Sequence, residues 1–171
     1  MALVAKDDTF IEVHKYRAGS VIGAAVMALF LQGFLPKYIP HAELLELPLL
    51  VTIYFSMGRR NAASGLLLGG AIGLVQDAVS HLPLGVYGIA LTAVGYLATW
   101  IGYRIDSDLA LSRFGVTFLL YDLERVVIAL IRRFLLERPG PFLGRYWLMG
   151  SLATALLALV IFPQLDRLRK S

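Results

Sequence analysis

The chain contains no cysteine, which excludes disulfides and thiolate metal sites. Charge is scarce too: 16% of its 171 residues are Asp, Glu, Lys or Arg, against about 25% in ordinary soluble domains. The three histidines, His14, His41 and His81, stand in separate regions without an H-E-x-x-H pair, so no metal site is expected. No glycine loop runs into Lys followed by Ser or Thr, so the chain lacks a phosphate cradle for ATP hydrolysis. Ser64, Ser80 and Ser151 have no credible catalytic base near them in sequence. Neither an enzyme nor a cofactor is expected on these grounds. A cleavable signal peptide is not expected either, because the apolar run after KDDTFIEVHKYR has no small-x-small exit before Lys37.

Apolar surface, by contrast, is abundant. Hydrophobic residues make up 58% of the chain, and its mean hydropathy is +0.71. Residues 18–36, 61–76, 82–103 and 146–165 carry no charge at all. Several of these runs approach the roughly 20 residues needed to cross the hydrocarbon of a bilayer. A soluble helical protein would have to cover all of them with 28 charged side chains, which is too few. The composition therefore predicts an all-α membrane bundle in a single domain.

Six spans can be drawn, at 18–35, 44–57, 62–79, 84–103, 112–135 and 146–162, with Pro36 and Pro163 as stops of the first and last. The second is short and needs an extension toward His41, a thinned bilayer, or shielding by its neighbours. Lys6, Lys15, Arg17, Arg59, Arg60, Arg104, Arg113, Arg167, Arg169 and Lys170 fall on one side of this topology. Lys37, Arg132, Arg133, Arg138 and Arg145 fall on the other. The excess of positive charge places both termini in the cytoplasm, with the basic loop from Arg132 to Arg145 dissenting. Tyr38, Trp100, Tyr103, Phe142, Tyr146 and Trp147 lie near span ends, as interfacial aromatics do.

The third span reads GLLLGGAIGLVQD, with Gly65, Gly69, Gly73 and Asp77 at i, i+4 on one drifting stripe. Glycines at that spacing let two helix backbones approach in a membrane. Asp77 then faces protein. The fifth span holds a second polar group, Tyr121, Asp122, Glu124 and Arg125, between apolar flanks. Asp122 and Arg125 are i, i+3 and can pair, while Tyr121 and Arg125 are i, i+4 and can line one groove. Glu124 and Arg125 point about 100° apart. Asp77 and Arg125 come at similar depth, which suggests a contact between them. Alternatively, Asp77 accepts backbone N–H groups from the turn that leads into the fourth span through Gly85.

The glycines and acid of the third span, Gly69, Gly70, Gly73, Leu74 and Asp77, together with Leu84, Gly85 and Gly88 beyond them, resemble the rod shape-determining protein MreD family. Span number and loop lengths extend the likeness loosely over residues 18–163. The resemblance implies a noncatalytic component of the bacterial inner membrane within the cell-elongation machinery. Such a component binds the single-span protein MreC. It works with the MreB filament, the glycosyltransferase RodA and its partner transpeptidase in lateral peptidoglycan synthesis. It also implies a fold similar to the six-helix substrate-binding subunits of energy-coupling-factor transporters. The family's acidic residue maps to Asp77 and its following glycine to Gly85. The short second span and the basic loop after Arg132 depart from the family pattern.

Two functions are expected from this pattern. A scaffold would use helix faces and short loops to hold single-span partners. The alternative is a vitamin transporter's substrate-binding subunit, with Asp77, Tyr121, Glu124 and Arg125 lining an outward-facing pocket. An intramembrane enzyme or lipid carrier lacks a nucleophile–base pair and ranks below both.

Overall fold

The computed structural model describes residues 18–59, 61–80, 83–105, 109–134 and 146–167. Among them are six α-helices and one turn of 3-10 helix. The helices are α1 (Ala18–Tyr38), α2 (Leu47–Arg59), α3 (Ala62–Val79), α4 (Val86–Gly102), α5 (Ala110–Phe134) and α6 (Trp147–Asp166), with the 3-10 turn Ala42–Leu44 before α2. The fold is all-α.

Among the described residues, three helices are long and apolar enough to cross a membrane: α1, α3 and α6. Their outer faces display large apolar side chains, among them Ile22, Met27 and Phe30 on α1, Leu67 on α3, and Leu148 and Leu156 on α6. In water such faces would be a liability; hydrocarbon covers them without cost. The apolar α4 is shorter, at 17 residues.

The third span coincides with its expected limits, because Asn61 starts it. The Asn61 side chain accepts hydrogen bonds from the Ala63 and Ser64 N–H groups at 3.0 and 3.3 Å, a cap worth about 1 kcal/mol. Neither proline stop holds. Pro36 lies within α1 and Pro163 within α6, and both helices continue to Tyr38 and Asp166. Each proline falls in the last turns, where one missing i→i−4 bond is lost from an end that already has unpaired carbonyls.

The short second segment is enclosed by its neighbours. At 13 residues, α2 is only about 20 Å long, yet every residue from Leu47 to Met57 is buried. It touches all five other helices, and Leu49, Leu50, Ile53 and Phe55 are wholly enclosed in the main core. A helix covered on all sides need not match the thickness of a bilayer.

Residue 135 and most of the basic loop that begins at Arg132 lie outside the described residues, as do Lys6, Lys15, Arg17, Arg60, Arg138, Arg145, Arg169, Lys170, Phe142, His14 and His81.

Candidate functional site

The glycine stripe of α3 closes on α4. A Cβ built on Gly65 would collide with Thr99 and the Gly95 carbonyl, one on Gly69 with the Leu91 carbonyl, and one on Gly73 with Tyr87 and Gly88. The two helices thus run antiparallel in contact along three successive turns, at backbone-to-backbone distance. Gly95 reciprocates, since its own Cβ would meet the Gly65 carbonyl. Thr99 adds a hydrogen bond to the Ser56 carbonyl at 3.2 Å, tying α2 to the same seam. The N-terminal pair Gly19 and Gly23 differs: both are open, with nothing within 4 Å.

Asp77 completes the seam. Its carboxylate accepts the backbone N–H groups of Gly85 at 2.8 Å, Tyr87 at 2.9 Å and Gly88 at 3.0 Å. It is fully buried. These are donors that the first turn of α4 cannot satisfy internally, and a negative group is favoured at that end of the helix dipole. Gly85 precedes the helix at φ 105°, a conformation that glycine adopts without strain. Of the two readings of Asp77, the backbone-capping one is therefore observed. The Asp77–Arg125 contact is not formed, because both carboxylate oxygens are spent on α4.

Arg125 finds a different partner. Its guanidinium bonds Glu46 at 2.6 Å, immediately before α2. Glu46 is enclosed and also accepts from Gln76 Nε2 at 3.2 Å and from the Tyr87 hydroxyl at 3.4 Å. Arg125 does lie in the layer of the last turns of α3, but the α3 side chain in that layer is Gln76, one residue before Asp77 and on a different face of the helix. The Tyr121–Arg125 groove is formed: the guanidinium lies over the ring, 5.0 Å from its centre. The Asp122–Arg125 pair is not, since Asp122 instead accepts the Trp147 indole N–H at 2.6 Å and joins α5 to α6.

Around Glu46 the backbone is irregular, and side chains from three helices hold it. Gln32 of α1 donates to the Leu45 carbonyl at 2.7 Å and accepts from the Leu47 N–H at 3.0 Å. Tyr121 of α5 and Thr154 of α6 both donate to the Leu44 carbonyl, at 3.1 and 3.3 Å. Gly150 makes room for this, as its Cβ would strike the Tyr121 hydroxyl.

Glu124 stands apart. It is fully buried, and neither of its oxygens has a hydrogen-bond partner. Gln76 Oε1 and Arg125 Nε are also buried without partners. At the far end of α2, Tyr54 donates to Asp166 at 2.7 Å and Arg113 pairs with the same carboxylate at 2.8 Å, clasping α2, α5 and α6. Among the described residues no group of three or more His, Cys, Asp or Glu side chains is placed to hold a metal.

Glu46 is not among the polar residues expected from the sequence, although it lies inside the drawn second span, in LLELPLL. Its isolation between leucines was the available signal. Gln32 and Gln76, uncharged polar residues in otherwise apolar runs, carried a weaker one. The four expected pocket residues are not one site: Asp77 belongs to the α3–α4 seam, and Tyr121, Glu124 and Arg125 to the core around Glu46.

No protein-family model, curated protein or solved structure matches the chain.

Proposed function

We propose that the chain is a noncatalytic scaffold of the bacterial cell-elongation machinery, a six-span bundle of the inner membrane with both termini cytoplasmic. In this reading α2, α4 and α5 span with α1, α3 and α6, the short α2 sheltered by the others. Its partners are an MreC-like single-span protein, a RodA-like glycosyltransferase with its transpeptidase, and the MreB filament.

One observation carries the reading. The residues that resemble the MreD pattern are used to lock α3 against α4. Gly69 and Gly73 admit the facing backbone, Gly70 faces Thr92, and Leu74 packs on Gly88. Asp77 caps the helix that Gly85 introduces. Residues used in this way build a stiff helical hairpin and leave no exposed reactive group, which suits a protein that works by presenting surfaces.

The transporter alternative has one feature in its favour. A cleft of about 210 Å³ opens between α1 and α3, lined by Leu29, Gln32, Gly33, Gln76, Val79 and Ser80. Tyr121 and Glu124, expected to line a ligand pocket, are enclosed away from this cleft, so the scaffold reading is preferred. Affinity purification from membranes, with identification of bound proteins and small molecules, separates the two. Recovery of cell-wall synthases and a single-span partner supports the scaffold. Recovery of only transport ATPases, or of a retained vitamin-like ligand, sinks it.

A further inference from the structure

The polar core contains two carboxylates and one guanidinium. Arg125 is committed to Glu46 at 2.6 Å. It makes no hydrogen bond to Glu124, although the two charges lie within electrostatic reach of each other. Glu124 has no exposed surface, and neither of its oxygens meets a donor. Among the described residues, the charged and titratable groups within electrostatic reach of Glu124 are Glu46 at the head of α2, Tyr87 on α4, and Tyr121 and Arg125 on α5 itself, while Arg132 on α5 acts on Tyr87 and not on Glu124. Only one of the groups within reach is a cation, and it is taken. One and two turns further along α5, Ile128 and Ile131 close with Val86, Tyr87 and Ala90 into a separate apolar cluster.

An ionised carboxylate in that position would be a buried charge with no hydrogen bond, its nearest cation already bonded to Glu46, and a core holds that arrangement only at high cost. A metal ion would need several oxygen ligands, and no acidic cluster among the described residues offers them. A proton needs one carboxylate and no extra room. We infer that Glu124 is a proton-binding site: in the folded bundle at neutral pH it is a neutral carboxylic acid beside the Glu46–Arg125 ion pair. The core is then electrically balanced. Release of that proton would place an unpaired negative charge beneath the α4–α5 seam, so this seam is the element that proton loss would loosen. The inference stands on the core's own geometry and does not depend on the scaffold reading.

Infrared spectroscopy of the purified protein in detergent, in sodium-containing buffer at neutral pH, tests it. The expected result is a protonated-carboxyl stretching band in the wild type that is lost in Glu124→Gln, with the thermal midpoint of that variant unchanged because a neutral amide replaces a neutral acid. Absence of the band in the wild type, its appearance only when sodium is removed, or its persistence in Glu124→Gln would each overturn the inference. So would a folded Glu124→Gln protein with a clearly lower midpoint. Should Glu124→Gln fail to assemble, Glu124→Asp decides the matter: the band must remain but move, and an unmoved band belongs to another acid and refutes the assignment.

Discussion

Removing the carboxylate of Asp77 tests whether the α3–α4 seam depends on that cap. Three N–H groups converge on it, at 2.8, 2.9 and 3.0 Å. Two belong to Tyr87 and Gly88, which are buried, while Gly85 is only half-buried and can find water or a headgroup. Asp77→Ala therefore strands two enclosed donors, at about 1–3 kcal/mol each, and the expected loss is about 2–6 kcal/mol. Against a total stability of roughly 5–15 kcal/mol, that is a large fraction. Asp77→Asn should cost about half as much, because one amide oxygen can keep Gly85 and Gly88 while only the Tyr87 N–H faces an NH₂ group. Denaturant unfolding in a single detergent, followed by helical signal, measures both. The capping account is refuted if Asp77→Ala unfolds with the wild type, or if Asp77→Asn is as damaging as Asp77→Ala. The second outcome would mean that the charge itself has a partner beyond α4.

Gly69→Ala drives a methyl group into the Leu91 carbonyl and should destabilise by about 1–3 kcal/mol or more. The matched change Gly19→Ala meets nothing within 4 Å and should be neutral or stabilising by about 0.5–1 kcal/mol; thermal midpoints of the two variants compare them directly. Glu46→Ala leaves the partly exposed Arg125 guanidinium without its ion-pair partner; it should cost about 1–3 kcal/mol, below the loss for a fully buried pair, and the double variant with Arg125→Met should recover part of that loss in the same unfolding assay. Gln32→Ala removes both hydrogen bonds at the head of α2. It should cost about 1–3 kcal/mol and show first as faster amide exchange at Leu47.

The parts of the fold that were legible in the sequence are those that depend on local pattern. The charge-free runs locate α1, α3, α4 and α6, and the i, i+4 glycines give the correct contact face of α3 because that spacing has only one stripe on which to lie. The capping role of Asp77 was readable as one of two alternatives, since the turn through Gly85 is close by in sequence. What failed was pairing across long separations. Arg125 and Glu46 are 79 residues apart, and equal depth cannot say which of several helices faces a guanidinium. The pairing of Asp122 with Arg125 failed for a related reason: i, i+3 spacing permits a contact, but the Trp147 indole of the neighbouring helix competes for the same carboxylate and reaches it at 2.6 Å. The prolines misled because their effect depends on position within the last turns, which residue identity alone does not reveal.

The irregular backbone between α1 and α2 explains why the core is polar at all. Non-helical backbone in a buried core is tolerated only where protein satisfies its N–H and C=O groups. Here Gln32, Tyr121 and Thr154 supply those partners from α1, α5 and α6, and the Glu46 backbone carbonyl accepts from the Leu50 N–H to start α2. Once α2 begins inside the bundle, its first polar side chain, Glu46, is buried with it, and Arg125, Gln76 and Tyr87 gather as the groups that satisfy that carboxylate. Each of these polar residues thus has a structural cause traceable to the short α2. Glu124 does not: it touches neither the irregular backbone nor Glu46 by any hydrogen bond, and its deletion would remove no hydrogen bond from the network. A buried acid that no other group requires is the residue at which function, and not construction, is the economical explanation.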